Sequence, residues 1–478
     1  MRPRFLLLTA ALVGGLAATL AGAAPPKATV IPDAALATAA TLRERALSDR
    51  TAWNVVESLT TEIGPRLAGS EADLRAVRWA EAMFRTLGYD KVWLEPVTFP
   101  KWVRRSESGA VLGAYAQPLA LTALGGSPGG VVEGEVVRFP DLASLEAVPA
   151  GSLAGKIAFV DYRMVRARDG SGYGPGSRVR SRGPSAAIRA GASAFVMRSA
   201  GTDSHRNPHT GITRFDEGLT PIPSAALSVP DAEQLARLVA ITRARGEPLR
   251  VRVALDCGWD GTATSYNVIG EVRGRTRPDE VVVIGGHLDS WDLGTGAIDD
   301  GAGIGITMGA GHLIAQLPRK QRPARTIRVI AFANEEQGLY GGKAYAAQYK
   351  ADVARHQLVA ESDFGAGRIY GFNTNAAPHA RAAAAQIAEA LAPLGITALE
   401  QGGPGPDVGP IAAEGAAWAW LGQDGTDYFD LHHTPDDTLD KIDPAALAQN
   451  TAAYAVFAYL AASADGDFGS APKAPKTP

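Results

Sequence analysis

Val281-Val-Val-Ile284-Gly-Gly-His287-Leu-Asp289-Ser-Trp-Asp-Leu-Gly-Thr-Gly-Ala-Ile-Asp299-Asp300-Gly301 is the stretch on which the fold turns. Four consecutive branched apolar residues suit a strand buried on both faces, as in a largely parallel sheet. Two glycines and a histidine end it, and a Gly-rich turn leads into Ala302 to Leu317, a Gly- and Ala-rich helix. Strand, turn and helix in that order are the unit of an α/β fold. Working outward, Thr326–Phe332, Gln357–Ala360 and Ala416–Leu421 read as the next strands, and Asp443-Pro444 caps a final helix to about Ala462.

Open α/β sheets bind ligands outside the carboxyl ends of their strands. Here those ends are His287-Leu-Asp289, Asn334-Glu335-Glu336, Glu361-Ser-Asp363 and, further along, His432-His433-Thr434-Pro435-Asp436-Asp437. Imidazoles and carboxylates without thiolates suit zinc or another divalent first-row ion. Two histidines and several carboxylates exceed the needs of one open catalytic ion. Two ions about 3.5 Å apart, sharing a carboxylate from the Asp299-Asp300 turn, would use them all. Each piece alone has a plainer reading. His287-Leu-Asp289 could be a surface turn, Asp299-Asp300 a helix cap, Glu335-Glu336 solvated charge, and Thr434 the cap of a helix start. Four such features at successive strand ends are what the plain readings leave unexplained.

Other chemistries find less support. Lys+Arg 47 against Asp+Glu 50, without basic runs, excludes a nucleic-acid binder. The single Cys257 rules out an intramolecular disulfide and cysteine-based metal clusters, and reads as a small apolar residue. No Gly-x-Ser-x-Gly elbow lies in the metal-site half. His312, His356 and His379 read as structural. Gly170-Ser-Gly-Tyr-Gly-Pro-Gly176 lacks the Lys-Ser/Thr of a phosphate loop and reads as a surface loop.

At the N-terminus, Met1-Arg-Pro-Arg4, the apolar run Phe5–Ala24 and the small residues before Pro25-Pro26 form a signal-peptide pattern. An uncleaved anchor is the rival reading. The expected organisation is 1–24 signal peptide, 25–118 first part of a catalytic domain, 119–256 an inserted β-rich domain, 257–462 the catalytic domain with the metal site, and 463–478 a flexible tail. The insertion is marked by short β runs with frequent Gly and Pro, and by helices at Ser185–Ala190 and Pro230–Arg243. The expected location is exported, periplasmic or extracellular, with no stable membrane span after cleavage.

Gly286 to Gly301, Asn334-Glu-Glu-Gln-Gly338, Glu361-Ser-Asp363, His432-His433 with Asp437-Thr438, and Asn207-Pro-His-Thr-Gly-Ile212 together resemble the di-zinc exopeptidases, the carboxypeptidase Q (plasma glutamate carboxypeptidase) group most of all. The resemblance spans most of the mature chain. It implies a zinc-exopeptidase-like mixed sheet flanked by helices, with a protease-associated-like domain at 119–256. It implies two zinc ions: His287 and Asp363 on one, Glu336 and His433 on the other, and Asp299 bridging. Glu335 would be general acid/base, Asp289 would hydrogen-bond the far nitrogen of His287, and Tyr428 would polarise the substrate carbonyl. A cis peptide is implied between Asp299 and Asp300. The substrate would be a dipeptide or short peptide, and a homodimer is among the expectations. Asn334 departs from the small residue usual before the Glu pair, and Thr434-Pro-Asp436 is similar to bacterial aminopeptidases. An aminopeptidase of the same chemistry therefore stands as the alternative. A non-catalytic binding module and a one-zinc glutaminyl-cyclase-like enzyme on this scaffold are more distant ones.

Overall fold

The computed structural model describes residues 27–473, so the signal-peptide expectation at 1–24 lies outside the described residues. Its spine is a pair of long antiparallel strands, Lys91–Val111 and Arg250–Val272, in register from Lys91 opposite Glu271 to Val111 opposite Val251. The first strand, expected from its sequence to end at Phe99, runs on to Val111. It continues because Trp102 buries its ring and donates its indole N–H to the Ser127 carbonyl (2.9 Å).

At one end of this ribbon, Arg325–Phe332 pairs antiparallel with Arg250–Val272. Arg277–His287 and then His356–Glu361 follow, each parallel to its neighbour. Both faces are covered, as the unbroken apolar runs predict. Helices Ala302–Ala315 and Pro444–Ser463 pack on one face over a single large apolar core, and Tyr340–Tyr349 covers the other. The Pro444–Ser463 helix is apolar on nearly every side and buried along most of its length, the pattern of a helix enclosed in a core. Asp443 caps it by accepting the Ala445 N–H (2.8 Å).

The expected fourth strand differs. It spans Ala419–Gln423 and pairs with Ile369–Thr374 in a separate three-stranded sheet. Among the described residues, a single parallel bridge from Trp418 to Val359 links it to the main sheet's ladder.

At the other end of the ribbon, Gly130–Phe139 pairs with Arg250–Val272 and starts a parallel series through Ile157–Val160, Ala194–Arg198 and Ser224–Leu227. These strands have apolar clusters of their own. The main sheet nevertheless runs unbroken through 11 strands, and the expected boundary at 256/257 falls inside Arg250–Val272.

Two local readings are corrected. The helix expected at 185–190 starts at Tyr173, within the stretch read as a surface loop, and runs to Arg189. Pro175 lies in its first turn, where a missing N–H costs nothing. Gly183 lies against the Phe195 ring, so close that a Cβ would come within 2.4 Å of it. Packing thus overrides a composition poor in helix formers. The tail is also anchored through residue 473: Phe468 is fully buried, and the Arg325 guanidinium donates to the carbonyls of Ala464 and Gly466. Among the described residues no helix is long and apolar enough to cross a membrane.

Candidate metal centre

His287 is the last residue of its strand, and its ring is fully buried. Its Nδ1 is 2.9 Å from the main-chain carbonyl of Asp289, an atom that can only accept. Nδ1 therefore carries a proton, and Nε2 is the nitrogen directed at the site. Nε2 lies 3.0 Å from Asp299 Oδ1 and 3.7 Å from Asp363 Oδ1. His433 is arranged in the same way. The Thr210 carbonyl, from the 119–256 region, accepts from Nδ1 (3.2 Å). Nε2 then stands 3.0 Å from Glu336 Oε2 and 3.3 Å from Asp299 Oδ2. Asp299 thus divides its two oxygens between two imidazole–carboxylate pairs.

The loops that hold these side chains are tightly specified. Asp437 Oδ1 and Oδ2 accept the N–H groups of Ile298 (2.6 Å) and Asp299 (3.2 Å). Asp300 Oδ2 accepts the His287 N–H (3.1 Å), and its Oδ1 accepts that of Gly303 (3.0 Å) at the start of the next helix. The fully buried Arg66 donates to the carbonyls of Leu288, Thr295 and Gly296, clamping both sides of the His287–Asp299 loop. The Asp299–Asp300 peptide is cis. Asn334, Leu339 and His433 take positive φ, a sparsely populated region for such residues that is favoured where the surroundings dictate it.

Asp289 differs from expectation. Its main-chain carbonyl, and not its carboxylate, meets the His287 ring; the carboxylate stands 3.7 Å from Nδ1. Asp289 Oδ1 instead accepts the N–H of Glu335 (3.0 Å), linking the His287 loop to the Glu335-Glu336 loop. Thr434 starts no helix; its hydroxyl donates back to the Leu431 carbonyl (2.6 Å).

The electrostatics are those of crowded acids. Burial opposes protonation of His287, yet Asp289, Asp299 and Asp363 outweigh it and hold its pKa well above the ordinary value. Burial likewise opposes protonation of His433, but Glu336 and Asp299 push it up to about 10. Glu335 is held well above the carboxylate range by burial, reinforced by Asp363 and Glu336. Burial and the neighbouring His433 drive His432 well below the usual imidazole value.

Donor atoms of His287, Asp299 and Glu336 lie within 4.8 Å of one another; so do those of Asp299, His432 and His433, and those of His287, Asp300 and Asp363. Asp299 Oδ2 and Glu336 Oε1 are buried with no hydrogen-bond partner. Buried carboxylate oxygens are costly unless something positive meets them. The donor set and these orphan oxygens fit divalent cations. All five residues expected as metal ligands converge here.

Glu335 and Tyr428 line a cleft of about 370 Å³ over the centre, together with Asp299, Glu336, Asp363 and His433. Sequence reasoning assigned no role to His432, whose ring stacks on His433 at 3.4 Å and whose Nε2 is 3.6 Å from Asp299 Oδ2. Its adjacency to His433 was the available signal. Arg66 gave none, and Thr210 acts through its backbone. Cys257 lies away from the centre, its thiol pushed up to about 11 by burial.

A mixed sheet whose strand ends gather histidines and carboxylates beneath an open cleft defines a metal-dependent hydrolase of the zinc-exopeptidase class. The model of "Peptidase family M28" matches residues 267–458. Carboxypeptidase Q of Xenopus laevis is 34% identical over 403 residues, covering 84% of this chain and 83% of that protein. Carboxypeptidase Q of Mus musculus is 32% identical over 410 residues, covering 85% and 84%. Among solved structures, a peptidase M28 precursor from Shewanella amazonensis SB2B superposes with a TM-score of 0.87 at 47% identity, over 92% of this chain and 100% of that one. BSAP, a zinc aminopeptidase from Bacillus subtilis, shares the fold at a TM-score of 0.61 and 20% identity, over 85% and 94%. The chain belongs to peptidase family M28 and is a zinc-dependent peptidase.

Proposed function

We propose that this protein is an exported exopeptidase that hydrolyses dipeptides and short peptides at a two-zinc centre. The observation that carries the reading is the division of Asp299: one oxygen faces His287, whose Nε2 also neighbours Asp363, and the other faces His433, whose Nε2 also neighbours Glu336. His287 and Asp363 would hold one ion, Glu336 and His433 the other, and Asp299 would serve both. Bound there, such ions supply Lewis acidity towards a water and towards the scissile carbonyl.

The remaining work falls to side chains. Glu335 takes the proton of the attacking water and delivers it to the leaving amine; burial raises its proton affinity above that of an ordinary carboxylate. Asp289 holds the Glu335 backbone against the His287 loop. Burial and the carboxylates Asp299, Asp363 and Glu336 keep the Tyr428 hydroxyl protonated, and it serves as a donor to the developing oxyanion. Residues 119–256 act as an inserted domain that completes the cleft and orients His433 through Thr210.

Export rests on the charged start, apolar run and small-residue end of residues 1–24. The mature chain recovered from cells should begin at Pro25, and an intact Met1 would count against cleavage. The functional test is hydrolysis of a dipeptide panel by the zinc-loaded mature protein. Glu335→Gln should keep its metal and lose about 10²–10⁴-fold in turnover. Near-normal turnover in that variant would remove Glu335 from its role. An aminopeptidase would cleave C-amidated peptides as readily as free ones and be blocked only by N-acetylation.

A further inference from the structure

The two imidazoles of the centre are held by different means. His287 Nδ1 bonds to a carbonyl two residues along its own chain, and Arg66 clamps the loop that follows. His433 takes positive φ, and the support of its ring comes from 223 residues away. There Thr210 grips it twice: the Thr210 carbonyl accepts from Nδ1 (3.2 Å), and the Thr210 N–H donates to the His433 carbonyl (3.0 Å). Thr210 belongs to the stretch Asn207-Pro-His-Thr-Gly-Ile212. Its neighbour His209 is buried, donates its N–H to the Ser199 hydroxyl (2.9 Å) and holds Nε2 3.0 Å from Asp203 Oδ1.

Arg104 holds the Thr210 side chain. The register of the Lys91–Val111 strand shifts between Arg104 and Ser106, the kind of bulge that re-aims a side chain. The Arg104 side chain is only 7% exposed. Its Nη2 donates to the Thr210 hydroxyl (3.0 Å), which itself donates to the Ala123 carbonyl (2.8 Å). The other nitrogens reach Asp292 (Nε, 3.0 Å), Glu107 (Nη1, 2.9 Å), the Thr122 hydroxyl and the Ala123 carbonyl (3.1 Å). Asp292 lies in the loop between His287 and Asp299, whereas Thr122, Ala123 and Thr210 belong to the 119–256 region. One guanidinium thus ties that region to the metal-site loop, a use that its five fixed donors suit.

We propose that Arg104 is a positioning residue for the Glu336–His433 half of the centre: by fixing Thr210 it fixes the His433 ring, so that the ion there binds tightly while the 119–256 region is seated. The proposal rests on the two-ion reading above and deepens it by making the two ion sites unequal. The His287–Asp363 site draws its support from its own loop and should not sense the Thr210 hydroxyl. Losing an outer partner of a ligating histidine costs about 10–100-fold in metal affinity.

The test reads metal affinity rather than turnover. Mature protein, stripped of metal and titrated with zinc against a chromophoric chelator, should bind two ions. Thr210→Val removes the hydroxyl and keeps the main chain; it should weaken one ion about 10–100-fold, and Arg104→Gln should do the same. Thr210→Ser keeps the hydroxyl and should retain the unsubstituted affinity. Backgrounds with one half of the centre disabled assign the effect. With Asp363→Asn, Thr210→Val should still weaken the remaining ion at least about tenfold. With Glu336→Gln, it should leave the remaining ion unchanged within about twofold. Equal weakening in both backgrounds overturns the proposal in favour of a general loosening, and no weakening in either also overturns it; both results leave the two-ion reading standing. One ion or none in the unsubstituted protein overturns that reading, and the proposal with it.

Discussion

Asp437 meets none of the proposed metal ligands through its side chain except by their backbone, yet both its oxygens are spent on the N–H groups of Ile298 and Asp299. Removing them frees the turn that aims Asp299. Asp437→Ala should therefore weaken metal binding about 10–100-fold, measured by competition with a chelator, while most of the fold is kept. Asp299→Ala removes the carboxylate whose oxygens face both donor pairs, and should reduce bound zinc by elemental analysis to one ion or none. Full two-ion occupancy in that variant would remove Asp299 from the bridge. At this scale strand ends and a Gly-flanked turn announced His287, the Asp299-Asp300, Glu335-Glu336 and His432-His433 pairs and Asp363 as a donor set, and the family resemblance chose within the pairs. It was silent on Arg66 and Thr210. Their partners are 222 and 223 residues away, and the contacts run through main-chain carbonyls that have no residue signature.

Among the elements, the His356–Glu361 strand begins on a buried histidine that lies outside the metal centre. The His356 Nδ1–H donates to the Asp352 carbonyl (3.2 Å) and Nε2 accepts from the Tyr345 hydroxyl (2.8 Å), so the ring is held neutral. Burial lowers its pKa from 6.5 to about 4. The unfolded chain binds this proton first as pH falls, so the contribution is complete above about 6.5 and is lost as pH falls towards 4. Its size is roughly 3 kcal/mol. His356→Gln should flatten that limb of the stability–pH curve, followed by urea denaturation; an unchanged slope would show that other groups set it. In the Pro444–Ser463 helix, Phe457 is fully buried near Phe372. Phe457→Ala should cost about 3–5 kcal/mol in the same assay. That helix was readable from its Asp-Pro cap and its apolar length. The Tyr173–Arg189 helix was not, because Gly183 there serves close packing on Phe195 and Pro175 sits in the first turn, and composition alone reports both as breakers.

Across the whole molecule, the Arg250–Val272 strand, paired along its length with Lys91–Val111, joins the two halves of the 11-stranded sheet. Heat should therefore unfold the metal-site half and the 119–256 region in one transition, with calorimetric and van't Hoff enthalpies in agreement. Two separated transitions would mean that the ribbon does not couple them. The buried acids of the centre repel one another without a cation, so zinc should raise the melting temperature progressively with its concentration. The sequence by itself determined the α/β class, the strand ends that carry chemistry, and a thiol-free donor set suited to zinc, since burial pattern and residue type are local properties. Only the tertiary structure decided which ring nitrogen of His287 and His433 faces the centre, that Asp299 divides its oxygens, and that Thr210 reaches the centre from the 119–256 region. Those facts depend on distances between residues remote in sequence, and such distances are set by how the packed elements meet.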